Sequence, residues 1–85
     1  MKFTVDALDS VNASLAELYL AAADGQAVTD AANWIERQLK HNPLTKVTRV
    51  DDLYFLRRHP LVALCEINVD DRLVKIIEIH RVDEE

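Results

Sequence analysis

The sequence predicts an α+β domain with an N-terminal strand, an antiparallel helical hairpin and then a three-stranded antiparallel sheet, in the order β-α-α-β-β-β. Three observations carry this. Apolar residues recur every three or four positions through the first forty residues. From Val47 onward the period changes to two. The only glycine, Gly25, falls between the two helical runs.

Each element has its own signal. Phe3 and Val5 alternate with polar residues and predict an opening strand, after which Asp6 or Asp9 can cap a helix. Leu8, Val11, Leu15, Leu18, Tyr19 and Ala22 trace one helical face, and Gly25 is expected as the left-handed residue that ends it. Val28, Ala31, Ala32, Ile35 and Leu39 form the stripe of a second helix that Asn42-Pro43 stops. Val47–Val50 and Leu53–Leu56 read as one strand interrupted by Asp51-Asp52, or as two short ones. A longer strand places Leu61, Ala63, Cys65, Ile67 and Val69 on one face. Asp70-Asp71 is a tight turn, and the span from 72 to 82 completes a hairpin centred on Val74–Ile79. Both of these strands carry apolar residues on both faces, as central strands do.

The 85 residues suffice for one domain, 1–85, which buries about 60–65 % of the surface of its unfolded chain. A charge precedes any apolar run in Met1–Asp6, and no run reaches the ~18 apolar residues of a membrane span. A lone cysteine, Cys65, fits a reducing compartment, so a soluble cytoplasmic protein is expected. The net charge of −5 argues against general nucleic-acid binding. The charge is uneven, however. Residues 46–59 carry four basic and two acidic groups, whereas the segments on either side are acidic. Asp83-Glu84-Glu85 reads as a solvated tail.

One glycine excludes a P-loop and a dinucleotide fingerprint. His41, His59 and His80 lie too far from each other and from Cys65 for metal-ligand spacing, so neither a metal nor a cofactor is expected. Cys65 reads as a small buried hydrophobe, and Trp34 and Tyr19 as packing aromatics rather than platforms for RNA bases. What remains is a basic constellation of Lys46, Arg49, Arg57, Arg58, His59, His80 and Arg81. RNA cleavage by a 2′-hydroxyl needs a base, cations beside the phosphorane and an acid for the leaving oxygen. Arginine, lysine and histidine on adjacent strands can supply all three. His59 or His80 would be the acid–base group, and the arginines would hold phosphate. Composition alone favours the plainer reading, that these are solvated strand ends.

The order of elements and several stretches resemble the RelE/ParE family of type II toxin–antitoxin toxins. Four features carry the likeness: the helical segment Ala31–Pro43, the basic strand after it, Pro60-Leu61-Val62-Ala63-Leu64-Cys65-Glu66-Ile67, and the closing Arg72–Arg81 with its His80-Arg81. The resemblance implies a toxin neutralised by a cognate antitoxin. Such a toxin acts either as a metal-free mRNA endoribonuclease on the ribosome or as an inhibitor of DNA gyrase. It also implies that Lys46 and Arg49 lie where RelE-like toxins keep catalytic lysines, and that Arg81 lies near the family's arginine of the last strand. His59, His80 and Arg81 are then the catalytic candidates, with Lys46, Arg49, Arg57 and Arg58 binding nucleic acid. Three positions depart from the pattern. Val62 stands where the family has an arginine, Cys65 where it has a tyrosine, and no tyrosine follows Arg81. The competing expectation is a non-catalytic interaction module of the same fold, with a homodimer among its forms.

Overall fold

A computed structural model describes residues 2–82, so Met1 and the tail Asp83-Glu84-Glu85 lie outside the described residues. The elements are β1 (Thr4–Ala7), α1 (Asp9–Ala21), α2 (Gly25–Lys40), a 3-10 turn (Pro43–Thr45), β2 (Thr48–Val50), β3 (Leu53–Arg58), β4 (Leu61–Asn68) and β5 (Leu73–Arg81). They form a five-stranded sheet of order β1-β5-β4-β3-β2. β2 to β5 run antiparallel, and β1 joins β5 in parallel, with Thr4 opposite Leu73 and Ala7 opposite Ile76. The fold class is the α+β arrangement the sequence predicts, with one strand more. Asp51-Asp52 does not interrupt a strand but turns the chain between two, and Asp51 takes a left-handed conformation (φ 56°) to do so.

Both helices lie on one face of the sheet, α1 against β5 and α2 against β3, β4 and β1. The α2 stripe is buried as its spacing requires, through Val28, Ala31, Ile35 and Leu39. The helix faces Leu56, Leu61, Ala63, Cys65, Val74, Ile76 and Ile79 of the sheet, and Phe3 and Val11 complete the core. Burying each such aliphatic side chain contributes about 1.5–3 kcal/mol relative to leaving it in water. The α1 stripe is weaker. Val11 is buried, Leu15 and Leu18 are half-buried, while Leu8 and Tyr19 are exposed.

Two capping expectations are corrected. Neither Asp6 nor Asp9 caps α1. Leu8 holds the N-cap position without a side-chain bond, Asp9 sits inside the first turn where the helix dipole favours it, and Asp6 Oδ1 accepts from Ala7 N at 3.0 Å. Thr4 N donates to the Arg72 carbonyl just before β5 and Leu8 N to the Ile76 carbonyl within it, so the Ala7 N–H faces the outer edge of β1, and Asp6 occupies it against a further strand. Gly25 does not end α1. The helix stops at Ala21 with Ala22 extended, and Gly25 opens α2 behind Asp24, whose Oδ1 accepts from Gln26 N and Ala27 N at 3.1 and 3.3 Å. The glycine serves close approach instead. A Cβ there would lie 2.8 Å from Cε1 of the Tyr19 ring. α2 ends at Lys40, ahead of the predicted Asn42-Pro43 stop; Arg37 and Lys40 occupy its last turn, and Asn42 takes φ 50° before Pro43.

β5 breaks strict alternation. Leu64 pairs with Glu78 but Cys65 with Ile76, so Ile77 is an extra residue, a β-bulge. Counting by two from Ile76 would send Glu78 and His80 into the core. The bulge turns them out and sends Ile79 in, where it is buried. Arg81, opposite Leu61, follows Ile79 to the helix side.

No helix among the described residues is long and apolar enough to cross a membrane.

Candidate nucleic-acid interface

Strand register fixes where each predicted site residue lies. On the face without helices, Arg57, Val62 and His80 form one row across β3, β4 and β5. Phe55, Leu64 and Glu78 form the next. Arg58, Leu61 and Arg81 form a row on the opposite, helix-bearing side, and Arg49, opposite Tyr54, shares that side further along the sheet. Arg57 and Arg58 do not sit in the connection before β4, as their place ahead of His59-Pro60 suggests. They are the last two residues of β3 and therefore point to opposite faces. His59 follows in the turn, and the His59-Pro60 peptide is cis.

Local contacts hold several of these groups. Lys46 lies before β2 rather than in it, and its Nζ donates to Gln38 Oε1 of α2 at 2.7 Å. Arg49 Nε donates to the Asp51 carbonyl at 2.9 Å, folding back over the β2–β3 turn. His80 Nε2 lies 2.6 Å from Glu78 Oε1, so one ring nitrogen is already engaged. The open face thus brings together Arg57 and His80, two strand spacings or ~9.5 Å apart, with an aliphatic residue between them. Lys46, Arg49, Arg58 and Arg81 are not brought to that row. Arg58 and Arg81 instead flank Leu61 on the far side of the sheet.

Around the Arg57–His80 row the open face is apolar. Phe55, Val62, Leu64 and Ile77 are half-buried there without belonging to the core beneath the helices. Among the described residues, no group of histidine, cysteine, aspartate and glutamate could hold a metal.

Cys65 faces the core with no solvent exposure, and burial pushes its thiol from the ordinary 9.0 up to about 12. A thiolate-specific reagent should therefore leave the native protein unlabelled at pH 8 and label it stoichiometrically in denaturant. The folded form holds the proton to about pH 12, whereas the unfolded chain releases it near 9. The thiol's contribution is complete below about 9 and is lost as pH rises toward 12. Replacing Cys65 with alanine should flatten that alkaline slope in a pH series of chemical denaturation.

Trp34 packs against the edge of the core, as a packing aromatic should. It is a half-buried residue on the flank of α2, and the Arg58 guanidinium lies over its ring, 4.9 Å from the centroid. Such a pair is worth about 0.5–2 kcal/mol according to its exposure. Trp34, Arg37 and Lys40 follow each other at three-residue spacing on the α2 flank beside the buried stripe.

No family model matches this chain, and no curated protein matches it. Solved structures do. One chain of the RelBE2 toxin–antitoxin complex from Mycobacterium tuberculosis superposes with a TM-score of 0.77 at 16 % identity, over 95 % of this chain and 99 % of that one. A chain of the chromosomal ParDE system from P. aeruginosa gives 0.72 at 18 %, over 96 % and 98 %. A mutant of the E. coli toxin RelE in the free state gives 0.70 at 10 %, over 95 % and 84 %. The chain has the RelE/ParE toxin fold. At these identities the likeness extends to the RelE/ParE-like backbone, and the side chains of the open face must be read for themselves.

Proposed function

We propose that this protein is the toxin of a type II toxin–antitoxin pair, neutralised by a cognate antitoxin, and that it acts by binding a protein target rather than by cutting RNA. The fold supports the first half, because neighbours that share it come from toxin–antitoxin complexes. The observation that carries the second half is the row Arg57–Val62–His80. Metal-free cleavage needs several cations, a base and an acid around one phosphate. This row offers one arginine and one histidine already engaged by Glu78, while the bulge sends Arg81 to the other side. The apolar surface around the row, with Phe55, Val62, Leu64 and Ile77, suits contact with a folded protein better than contact with phosphates. A gyrase-type target belongs to this reading.

Induced expression in a bacterial host tests it. Growth arrest is expected, relieved by co-expressing the product of a small open reading frame beside the gene. Substituting Phe55→Ser with Leu64→Ser on the open face should abolish arrest while the purified variant keeps its circular dichroism spectrum. Normal growth under full expression of the native chain would overturn the toxin assignment and favour an inert interaction module.

A further inference from the structure

We propose that the groove bounded by α2, the start of β1 and the β3–β4 turn binds an extended acidic protein segment, whether or not the chain arrests growth. Lys2, Arg37, Lys40 and Arg58 line it together with His41 and His59. These are four of the ten lysines and arginines in the sequence and two of its three histidines, against two of its fifteen carboxylates. The groove therefore reverses the sign of a chain whose net charge is −5. Its two carboxylates are both occupied: Asp30 Oδ1 accepts from Gln26 Nε2 at 2.8 Å, and Glu36 lies 3.4 Å from Lys40 Nζ.

Arg58 and Trp34 both line the groove, with the guanidinium carbon over the ring at 4.9 Å from its centroid. A guanidinium that contacts an aromatic ring is restrained, and a guanidinium can receive a carboxylate through two parallel hydrogen bonds. Arg37 and Lys40 lie one and two turns further along α2, so an extended chain following the helix meets a cation at successive steps. With a volume of about 1230 Å³, the groove has room for several residues of such a chain.

Charge density favours a peptide over a nucleic acid. A polyphosphate strand carries a charge at every step and would meet Asp30, Glu36 and an acidic surface beyond the groove. A segment with a few carboxylates meets mainly the cations and leaves Asp30 and Glu36 with their present partners.

Trp34 is the only tryptophan, so its fluorescence reports occupancy directly. The full chain would be titrated at low ionic strength with a synthetic peptide of about ten residues rich in Asp and Glu. A single-stranded oligothymidylate of about ten nucleotides forms the second arm. The expected result is a saturable emission change with the peptide that weakens as salt rises. The dissociation constant should increase at least tenfold in the Arg37→Gln/Lys40→Gln variant and stay unchanged in Lys75→Ala, on the open face. Arg58→Ala, read by calorimetry because it alters the fluorophore's surroundings, should also weaken binding at least tenfold. Each glutamine variant must retain the native circular dichroism spectrum, which their positions on the solvent side of α2 favour. No saturable change, equal affinity in the Arg37/Lys40 variant, or tighter binding of the oligonucleotide would each overturn the proposal.

Discussion

Replacing Ile35 with alanine is expected to lower the unfolding free energy by about 2–5 kcal/mol. Ile35 is 1 % exposed and lies midway along the α2 stripe. Truncation forfeits the transfer free energy of three carbons and leaves a cavity that a helix pinned on both sides cannot collapse. Pinning comes from Phe3 N donating to the Lys40 carbonyl at one end and from the Asp24 cap at the other. Alanine's better helix propensity returns only about 0.5 kcal/mol, too little to change the sign. A domain of this size has a total stability of ~4–13 kcal/mol, so the loss is a large share of it. The melting midpoint should fall by roughly 10–30 °C. The same substitution at Leu15, half-buried on α1, should cost clearly less. Equal effects at the two positions in paired thermal melts would show that α1 carries as much of the core as α2.

The bulge in β5 leads to the second large effect, a contrast between two single-residue deletions. Removing Ile77 deletes the extra residue, and plain alternation from Ile76 then keeps Ile79 and Arg81 on the helix side and Glu78 and His80 on the open side. The protein should still fold, with a loss near 1–2 kcal/mol from the half-buried side chain. Removing Leu64 from β4 has no such escape. One half of the strand must turn over, which puts Glu66 and Asn68 where Cys65 and Ile67 pack, or exposes Leu61 and Ala63. Burying an unpaired carboxylate costs several kcal/mol on top of the lost core, which exhausts the stability available. Circular dichroism and size-exclusion profiles separate the outcomes: a native-like spectrum for the Ile77 deletion and no folded monomer for the Leu64 deletion. Collapse of both would mean that the bulge residue is structural rather than surplus.

The same bulge marks the limit of what the sequence could tell. The α2 stripe, the Asn42-Pro43 stop and the Leu61–Ile67 face were legible because a single period runs unbroken through each. The parallel docking of β1 on β5 was not, since local periodicity says nothing about which strands meet. No left-handed residue forms at Gly25, because α1 stops at Ala21 with Ala22 extended and Gly25 is already the first residue of α2. The candidate site was legible as a set of basic residues and illegible as a geometry. Adjacent positions such as Arg57 and Arg58 face opposite ways, and one extra residue upstream decides the side taken by Arg81. The contact between Arg58 and Trp34 joins residues 24 positions apart and depends on how α2 crosses the sheet, which no spacing rule encodes.

The most direct test of the central claim, action by binding rather than by RNA cleavage, is transcriptome-wide mapping of RNA 5′ ends. Samples would be taken within minutes of inducing the native chain and an Arg57→Ala/His80→Ala variant. Action by binding predicts growth arrest by both proteins with no new 5′ ends inside translated codons in either sample. New ends that appear with the native chain and vanish with the variant would contradict it, and would place a working nuclease on the Arg57–His80 row.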